Sequence, residues 1–92
     1  MLSLAYTSQF KKDVRRRRRQ GADLERLGEV ITLLRKGEVL GERFRDHALA
    51  GRLGGHRECH IGPDWLLVYR IDDTRLILTA VRTGSHAELF GL

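Results

Sequence analysis

The sequence lacks several residue patterns, and each absence argues against a class of protein. Cys59 is the only cysteine among the 92 residues, so no disulfide can form within the chain. No apolar run approaches the roughly 18 residues of a membrane-spanning helix, and no signal-peptide pattern is present. We therefore expect a cytoplasmic protein with no membrane contact.

Metal-binding patterns are scarce as well. The chain has no CxxC pair and no helical HExxH pattern, which are the arrangements typical of zinc sites. The histidines could still serve either a zinc site built from His56, His60 and Asp64 or acid–base catalysis, and the zinc site is the rival interpretation. The sequence otherwise predicts neither a metal nor a cofactor.

Acidic residues are few relative to basic ones. Lys and Arg number 17 against 12 Asp and Glu, which gives a formal net charge of +5. Such an excess attracts polyanions, so nucleic acid is the first partner to consider and an acidic protein the second. The chain length predicts a single domain over residues 1–92, with little room for an internal cofactor cavity.

The first half of the chain has the pattern of one strand and two helices. Apolar residues alternate over residues 2–6, which is typical of a short strand. Ser8 is a candidate N-cap for the first helix, Asp23 for the second, and Gly37 is placed to end the second. The apolar stripes of the two helices comprise Phe10, Val14, Leu24, Leu27, Ile31 and Leu34.

The arginine run Arg15 to Arg19 has two interpretations. Successive helical residues advance by about 100°, so the five side chains surround the helix instead of forming one stripe. They form either a solvated helix end or a contact for RNA phosphates.

The second half has the pattern of strands. Segments Arg57–Ile61, Trp65–Ile71 and Leu76–Arg82 are separated by turn sequences and predict an antiparallel meander. A loop over residues 43–55 leads into them. Ser85 and Glu88 have the spacing of a capping box that begins a last helical turn. The expected fold class is α+β: a small antiparallel β-sheet packed by two N-terminal helices.

Histidines and charged residues cluster at the ends of these strands. The two-residue period of a strand places His60 on the same face as His56 and Glu58. Asp64 follows at the turn, and we expect it to approach Arg82 across the sheet edge.

These residue types suit the metal-free cleavage of RNA. That reaction needs a base for the 2′-hydroxyl, an acid for the leaving oxygen and cations around the phosphate. Histidine suits either proton-transfer role, and the guanidinium of Arg82 suits the phosphate.

Three ordered segments, at residues 46–51, 57–69 and 82–91, resemble the signature of YafQ-type toxins in the RelE/ParE superfamily of toxin–antitoxin systems. The resemblance implies an endoribonuclease that cuts mRNA in the ribosomal A site without a metal ion. It also implies a cognate acidic antitoxin as partner, with DNA bound only through the antitoxin complex. By the same resemblance the catalytic positions are His47, His60, Asp64, His86 and Phe90.

Within this set, His86 is the expected general acid and His60 or Asp64 the expected base, with His47 assisting. Family members often carry an aromatic residue where this chain has His56, so His56 is assigned no catalytic role. Two alternatives remain open: a ParE-like toxin that inhibits gyrase by binding, and a non-catalytic basic module that binds nucleic acid.

Overall fold

The computed structural model describes residues 1–91, which form a five-stranded sheet with two helices between its first and second strands and a third helix after its last strand. The strands are β1 (Ser3–Tyr6), β2 (His47–Ala48), β3 (Arg57–Gly62), β4 (Trp65–Asp72) and β5 (Ile77–Gly84). The helices are α1 (Ser8–Arg19), α2 (Leu24–Arg35) and α3 (His86–Phe90), with short 3₁₀ turns at Glu42–Phe44 and Gly51–Leu53.

The sheet has the order β1-β5-β4-β3-β2. The antiparallel meander β3-β4-β5 and the α+β class are confirmed. Two details differ from the expectation. Strand β1 pairs with β5 in parallel, so the sheet is mixed. Strand β2, which lies in the expected loop, pairs antiparallel with β3 but has only two residues, too few for a sequence period.

The helix ends follow capping chemistry. The N-cap of α1 is Thr7, not Ser8 as expected: Thr7 Oγ1 accepts from the Phe10 amide at 2.9 Å and donates to the Val81 carbonyl at 2.6 Å. The second bond fixes the start of α1 to β5, which local sequence does not reveal. Asp23 and Gly37 take their expected roles at the two ends of α2. No helix within residues 1–91 has both the length and the apolar character needed to cross a membrane.

The main core lies between the sheet and the helices α1 and α2. It buries alternate residues of the sheet, including Cys59, Ile61, Leu67 and Tyr69, against the apolar stripes of both helices. Each large apolar side chain that is fully buried contributes about 1.5–3 kcal/mol. Strand register places Glu58, His60 and Arg82 among the alternate residues that point to the other face.

Candidate active site

Pairing of β2 with β3 places His47 beside Glu58, on the face of the sheet that points away from the main core. His47 lies opposite Glu58 in the strand register, and its Nε2 is 3.1 Å from Glu58 Oε2. Its Nδ1 is 2.6 Å from the carbonyl oxygen of Arg45. Both ring nitrogens therefore face oxygen atoms of the protein.

The backbone before His47 is fixed by Asp46. The Tyr69 hydroxyl donates to Asp46 Oδ1 at 2.6 Å, and Arg57 Nε donates to the same oxygen at 3.2 Å. Burial, followed by the hydrogen bond to Asp46, raises the pKa of Tyr69 well above its ordinary value, so the phenol stays a donor. The central strand thus holds the edge of the sheet that carries His47.

The turn between β3 and β4 orients His86. Asp64 is the second residue of this two-residue turn and has a φ of 47°. Its Oδ1 accepts from the His86 amide at 3.0 Å and lies 2.8 Å from His86 Nδ1. The hydrogen bond from the His86 amide, and next the one from the His86 side chain, lower the pKa of Asp64, so a carboxylate faces the ring. His86 Nδ1 is then the protonated donor, and Nε2 keeps no hydrogen-bond partner among residues 1–91.

His60 belongs to a cluster of side chains that also contains His47, Glu58, Asp64 and His86. Its ring centroid is 5.9 Å from that of His86. Candidate ligand atoms of Glu58, His60 and His86 all lie within 4.8 Å of one another. Burial lowers the pKa of His60, and the nearby charges of Arg45 and His86 lower it further, against the opposing effect of Glu58. His60 is therefore neutral near pH 7 and has a lone pair available for a proton.

Glu58 is the member of this cluster that sequence reasoning omitted from the proposed site. Its residue is 6% exposed, and its Oε1 has no hydrogen-bond partner in the described chain. An unsatisfied buried oxygen of this kind costs about 1–3 kcal/mol, more when it is charged. The two-residue spacing from His60 was the available signal, since it places both side chains on one face.

The remaining expected site residues have different surroundings. Phe90 is 36% exposed and lies one helical turn after His86, on the same side of α3. Arg82 does not pair with Asp64 as expected: its Nε donates to Asp13 Oδ2 at 2.7 Å. Asp13 is fully buried on α1, which crosses the edge of β5 where β1 pairing ends.

The rival zinc set is not what the structure brings together. His56 Nδ1 lies 3.4 Å from the Gly54 carbonyl oxygen, and His56 is absent from the group of possible metal ligands within residues 1–91. Glu58, His60 and His86 form that group instead. Burial raises the pKa of the Cys59 thiol to about 12, so this side chain is neither a ready ligand nor a nucleophile.

Part of the arginine run packs on the protein. Arg16 Nε lies 2.9 Å from Glu88 Oε2, and the Arg17 guanidinium lies 4.8 Å from the ring centroid of Trp65. Arg15, Arg18 and Arg19 are exposed. A uniformly solvated helix end therefore describes only part of the run, and its contact with RNA stays a prediction.

The cluster combines three imidazoles, a buried carboxylate and an oriented Asp–His pair on an exposed surface. These groups can take a proton from one oxygen and give a proton to another, while cations lie beside them. Comparison with known proteins shows the class: the sequence profile of a bacterial toxin of type II toxin–antitoxin systems, YafQ, matches residues 2–91. The chain belongs to the YafQ toxin family.

Relatives and solved structures agree with this assignment. The mRNA interferase toxin YafQ of Escherichia coli K12 is 37% identical over 89 residues, covering 96% of this chain and 95% of the relative. A copper-bound L66S mutant toxin from Helicobacter pylori has a TM-score of 0.92 at 47% identity, covering 98% and 100% of the two chains. YafQ in the E. coli DinJ–YafQ toxin–antitoxin complex has a TM-score of 0.88 at 36% identity, covering 98% of each chain.

Proposed function

We propose that this chain is the toxin of a type II toxin–antitoxin system and cuts mRNA in the ribosomal A site without a metal ion. Two things support the proposal: a full-length relative named as an mRNA interferase, and the geometry of the cluster. The observation that carries most weight is the Asp64–His86 pair at 2.8 Å, which leaves His86 Nε2 free beside His60.

The proposed reaction is an internal transfer of the phosphoryl group. A base removes the proton of the 2′-hydroxyl, and that oxygen attacks the adjacent phosphorus. The bond to the 5′-oxygen breaks as an acid protonates this leaving group. The products are a 2′,3′-cyclic phosphate and a 5′-hydroxyl, and no oxidant, reductant or additional reactant is needed.

The surroundings of each group suggest its role. His86 is the acid, because Asp64 fixes its tautomer and stabilises the imidazolium. His60 or Glu58 is the base, since His60 is neutral near pH 7 and Glu58 Oε1 has no partner. Asp64 is a positioning residue in this scheme, occupied by His86.

Three further residues complete the proposed site. His47 orients the substrate beside Glu58, and Arg82 supplies positive charge to the phosphate through the part of its guanidinium that Asp13 does not use. Phe90 offers an exposed aromatic face on which a base can stack. The catalytic set is therefore His47, Glu58, His60, His86 and Phe90, with Asp64 as the positioning residue and Arg82 at the phosphate.

The proposed partners follow from charge and from the relatives. An acidic antitoxin would neutralise the net charge of +5, as the E. coli YafQ is found with DinJ. We propose that operator DNA is bound through that complex and that the toxin acts in the cytoplasm, on ribosomes, as a single domain.

The test is cleavage of a defined message on programmed ribosomes, with His86→Ala and His56→Ala as matched variants. Positioned acids contribute about 10² to 10⁴ in rate, so His86→Ala should lose that factor while His56→Ala keeps wild-type rate. Circular dichroism and antitoxin binding should be unchanged in both. Toxicity that persists in His86→Ala would support gyrase inhibition or simple nucleic-acid binding.

The metal dependence tests the mechanism from another side. A chelator that takes up transition-metal ions but leaves the Mg²⁺ of the ribosome should not change the rate, because the proposed acid and base are protein groups. Cu²⁺ or Zn²⁺ should inhibit, since imidazole and carboxylate suit both ions and the atoms of Glu58, His60 and His86 are close enough to share one. Loss of cutting in chelator would overturn the metal-free reaction.

A further inference from the structure

A second concave surface adjoins the histidine cluster. It lies between α2, the 3₁₀ turn Glu42–Phe44 and the β3–β4 turn, and encloses about 760 Å³. Strand β2 pairs only with Arg57 and Glu58, so no strand within residues 1–91 lies beside the edge of β3 beyond Glu58. The lining residues include Arg26, Glu29, Arg43, Phe44, Arg45 and His60. We call this surface the arginine groove.

Three arginines from two elements face this groove, and none is used in an ion pair or side-chain hydrogen bond within residues 1–91. They are Arg26, Arg43 and Arg45. The Arg26 guanidinium lies flat over Gly62, since its carbon and both terminal nitrogens are 3.6–3.7 Å from the position a Gly62 Cβ would take. The Arg43 guanidinium stacks on the Phe44 ring, 4.7 Å from its centroid.

The arginine groove is joined to the cluster by shared residues. His60 and Asp64 line the groove and also belong to the cluster. Arg45 has a φ of 48°, a left-handed conformation unusual outside glycine, and its carbonyl oxygen faces His47 Nδ1 at 2.6 Å. An RNA strand that crosses the histidine cluster would therefore pass directly into the arginine groove.

We propose that the arginine groove binds the RNA strand beside the cut phosphate. Free guanidinium groups bind phosphates, and guanidinium planes such as the one on Phe44 stack on unpaired bases. The proposal rests on the proposed function for its substrate. An acidic protein segment is less suited, because it has no unpaired base to stack on the Arg43 guanidinium and the Phe44 ring.

The experiment measures binding of a short fluorescein-labelled RNA whose 2′-hydroxyls are all methylated, so that it cannot be cut. Wild type is compared with Arg26→Ala/Arg43→Ala and with Arg70→Ala/Arg75→Ala. The control removes equal charge from the far end of β4, where Arg70 and Arg75 line a separate surface. All four arginines are exposed, so the fold should persist in both variants.

Loss of the groove arginines should weaken binding about 10-fold or more and reduce the slope of log affinity against log salt by about 1.4, or 0.7 for each lost phosphate contact. The control should change affinity less than about 3-fold. Equal losses in both variants, or none in the groove variant, would overturn the groove. Antitoxin binding that falls in the groove variant while RNA binding persists would also overturn it, in favour of a protein dock.

Cleavage on programmed ribosomes separates this proposal from the proposed function. If wild type cuts nothing while uncuttable RNA still needs Arg26 and Arg43, the nuclease fails and the groove stands. If wild type cuts and the groove variant binds and cuts equally well, the groove fails and the nuclease stands.

Discussion

Two buried carboxylates, Asp13 on α1 and Glu58 on β3, differ in how completely their oxygens are hydrogen-bonded. Asp13 is fully buried and accepts from Arg82, Arg16, Gln9 and the Thr83 amide at 2.7–3.2 Å. Every oxygen has a partner. The Asp13 network therefore has the pattern of a structural element.

Glu58 is almost as buried but has an oxygen without a partner and titratable imidazoles around it. An arrangement of this kind costs stability, and such groups are found more often at functional sites than in structural networks. Complete hydrogen bonding thus distinguishes Asp13, the structural carboxylate, from Glu58, which we propose acts on RNA. Substitutions at each position should therefore affect different measured quantities.

The largest effect on stability is expected for Asp13→Ala. It leaves the half-buried Arg82 guanidinium and the Thr83 amide without an acceptor, and removal of one partner from a buried pair costs about 3–5 kcal/mol. Since Arg82 is 29% exposed, we expect the lower part of this range. Urea unfolding gives the value, with Asp73→Ala on the exposed β4–β5 turn as control.

The pH dependence of stability sharpens the same point. Burial would raise the pKa of Asp13, but hydrogen bonds from Arg82, Gln9 and Thr83 together hold it below 3.8. The stabilisation is thus present above the unfolded pKa of about 3.9 and is lost as pH falls through the folded pKa. A wild-type protein whose acid unfolding matches that of Asp13→Ala would contradict the structural role.

Glu58→Gln is expected to slow cleavage while leaving the stability of the fold almost unchanged. The amide keeps the shape, and its oxygen can still contact His47 Nε2, so unfolding free energy should change by less than about 1 kcal/mol. Single-turnover cleavage should fall about 10- to 100-fold if Glu58 is the base or holds it. Glu38→Gln, on an exposed loop, is the matched control. Parallel losses of stability and rate would make Glu58 structural.

The sequence predicted the fold better than it predicted side-chain partners. The stripe of α2 and the three strand segments repeat over enough residues to define helices and strands, and the predicted meander is present. Strand β2 has two residues and no period, so its pairing of His47 with Glu58 was not foreseeable. That pairing depends on a contact between segments eleven residues apart in strand register.

The site was predicted in composition more than in geometry. His60, Asp64 and His86 were placed near one another from strand ends and a capping box, and the structure brings them together. Arg82 was assigned the wrong carboxylate, because Asp13 lies 69 residues away in sequence. Long-range ion pairs leave no local pattern, whereas caps and turns do.

A smaller effect is expected from pH: below the pKa of His60, the single-turnover cleavage rate should fall about tenfold for each pH unit. Burial first, then nearby positive charge, holds this pKa below 6.5. If neutral His60 is the base, the single-turnover rate is constant just above that pKa and falls as pH decreases through it. His60→Gln should be slow and lack this acid limb. An unchanged limb in His60→Gln would assign it to another group.

The smallest effect is expected where the two regions meet. Arg16 contacts Asp13 at 3.2 Å and Glu88 at 2.9 Å, and Glu88 forms a capping box with Ser85, the N-cap residue just before His86. Because Arg16 is 31% exposed, Arg16→Ala should cost less than about 1 kcal/mol of unfolding free energy. It should nevertheless slow cleavage about 2- to 5-fold with a nearly unchanged KM, since α3 carries His86, the proposed acid, and of the proposed RNA contacts only Phe90. Arg16→Lys keeps the charge and should restore part of the rate. An Arg16→Ala variant that raises KM alone would instead place this arginine on the RNA, and the structural network and the catalytic cluster would then be energetically separate.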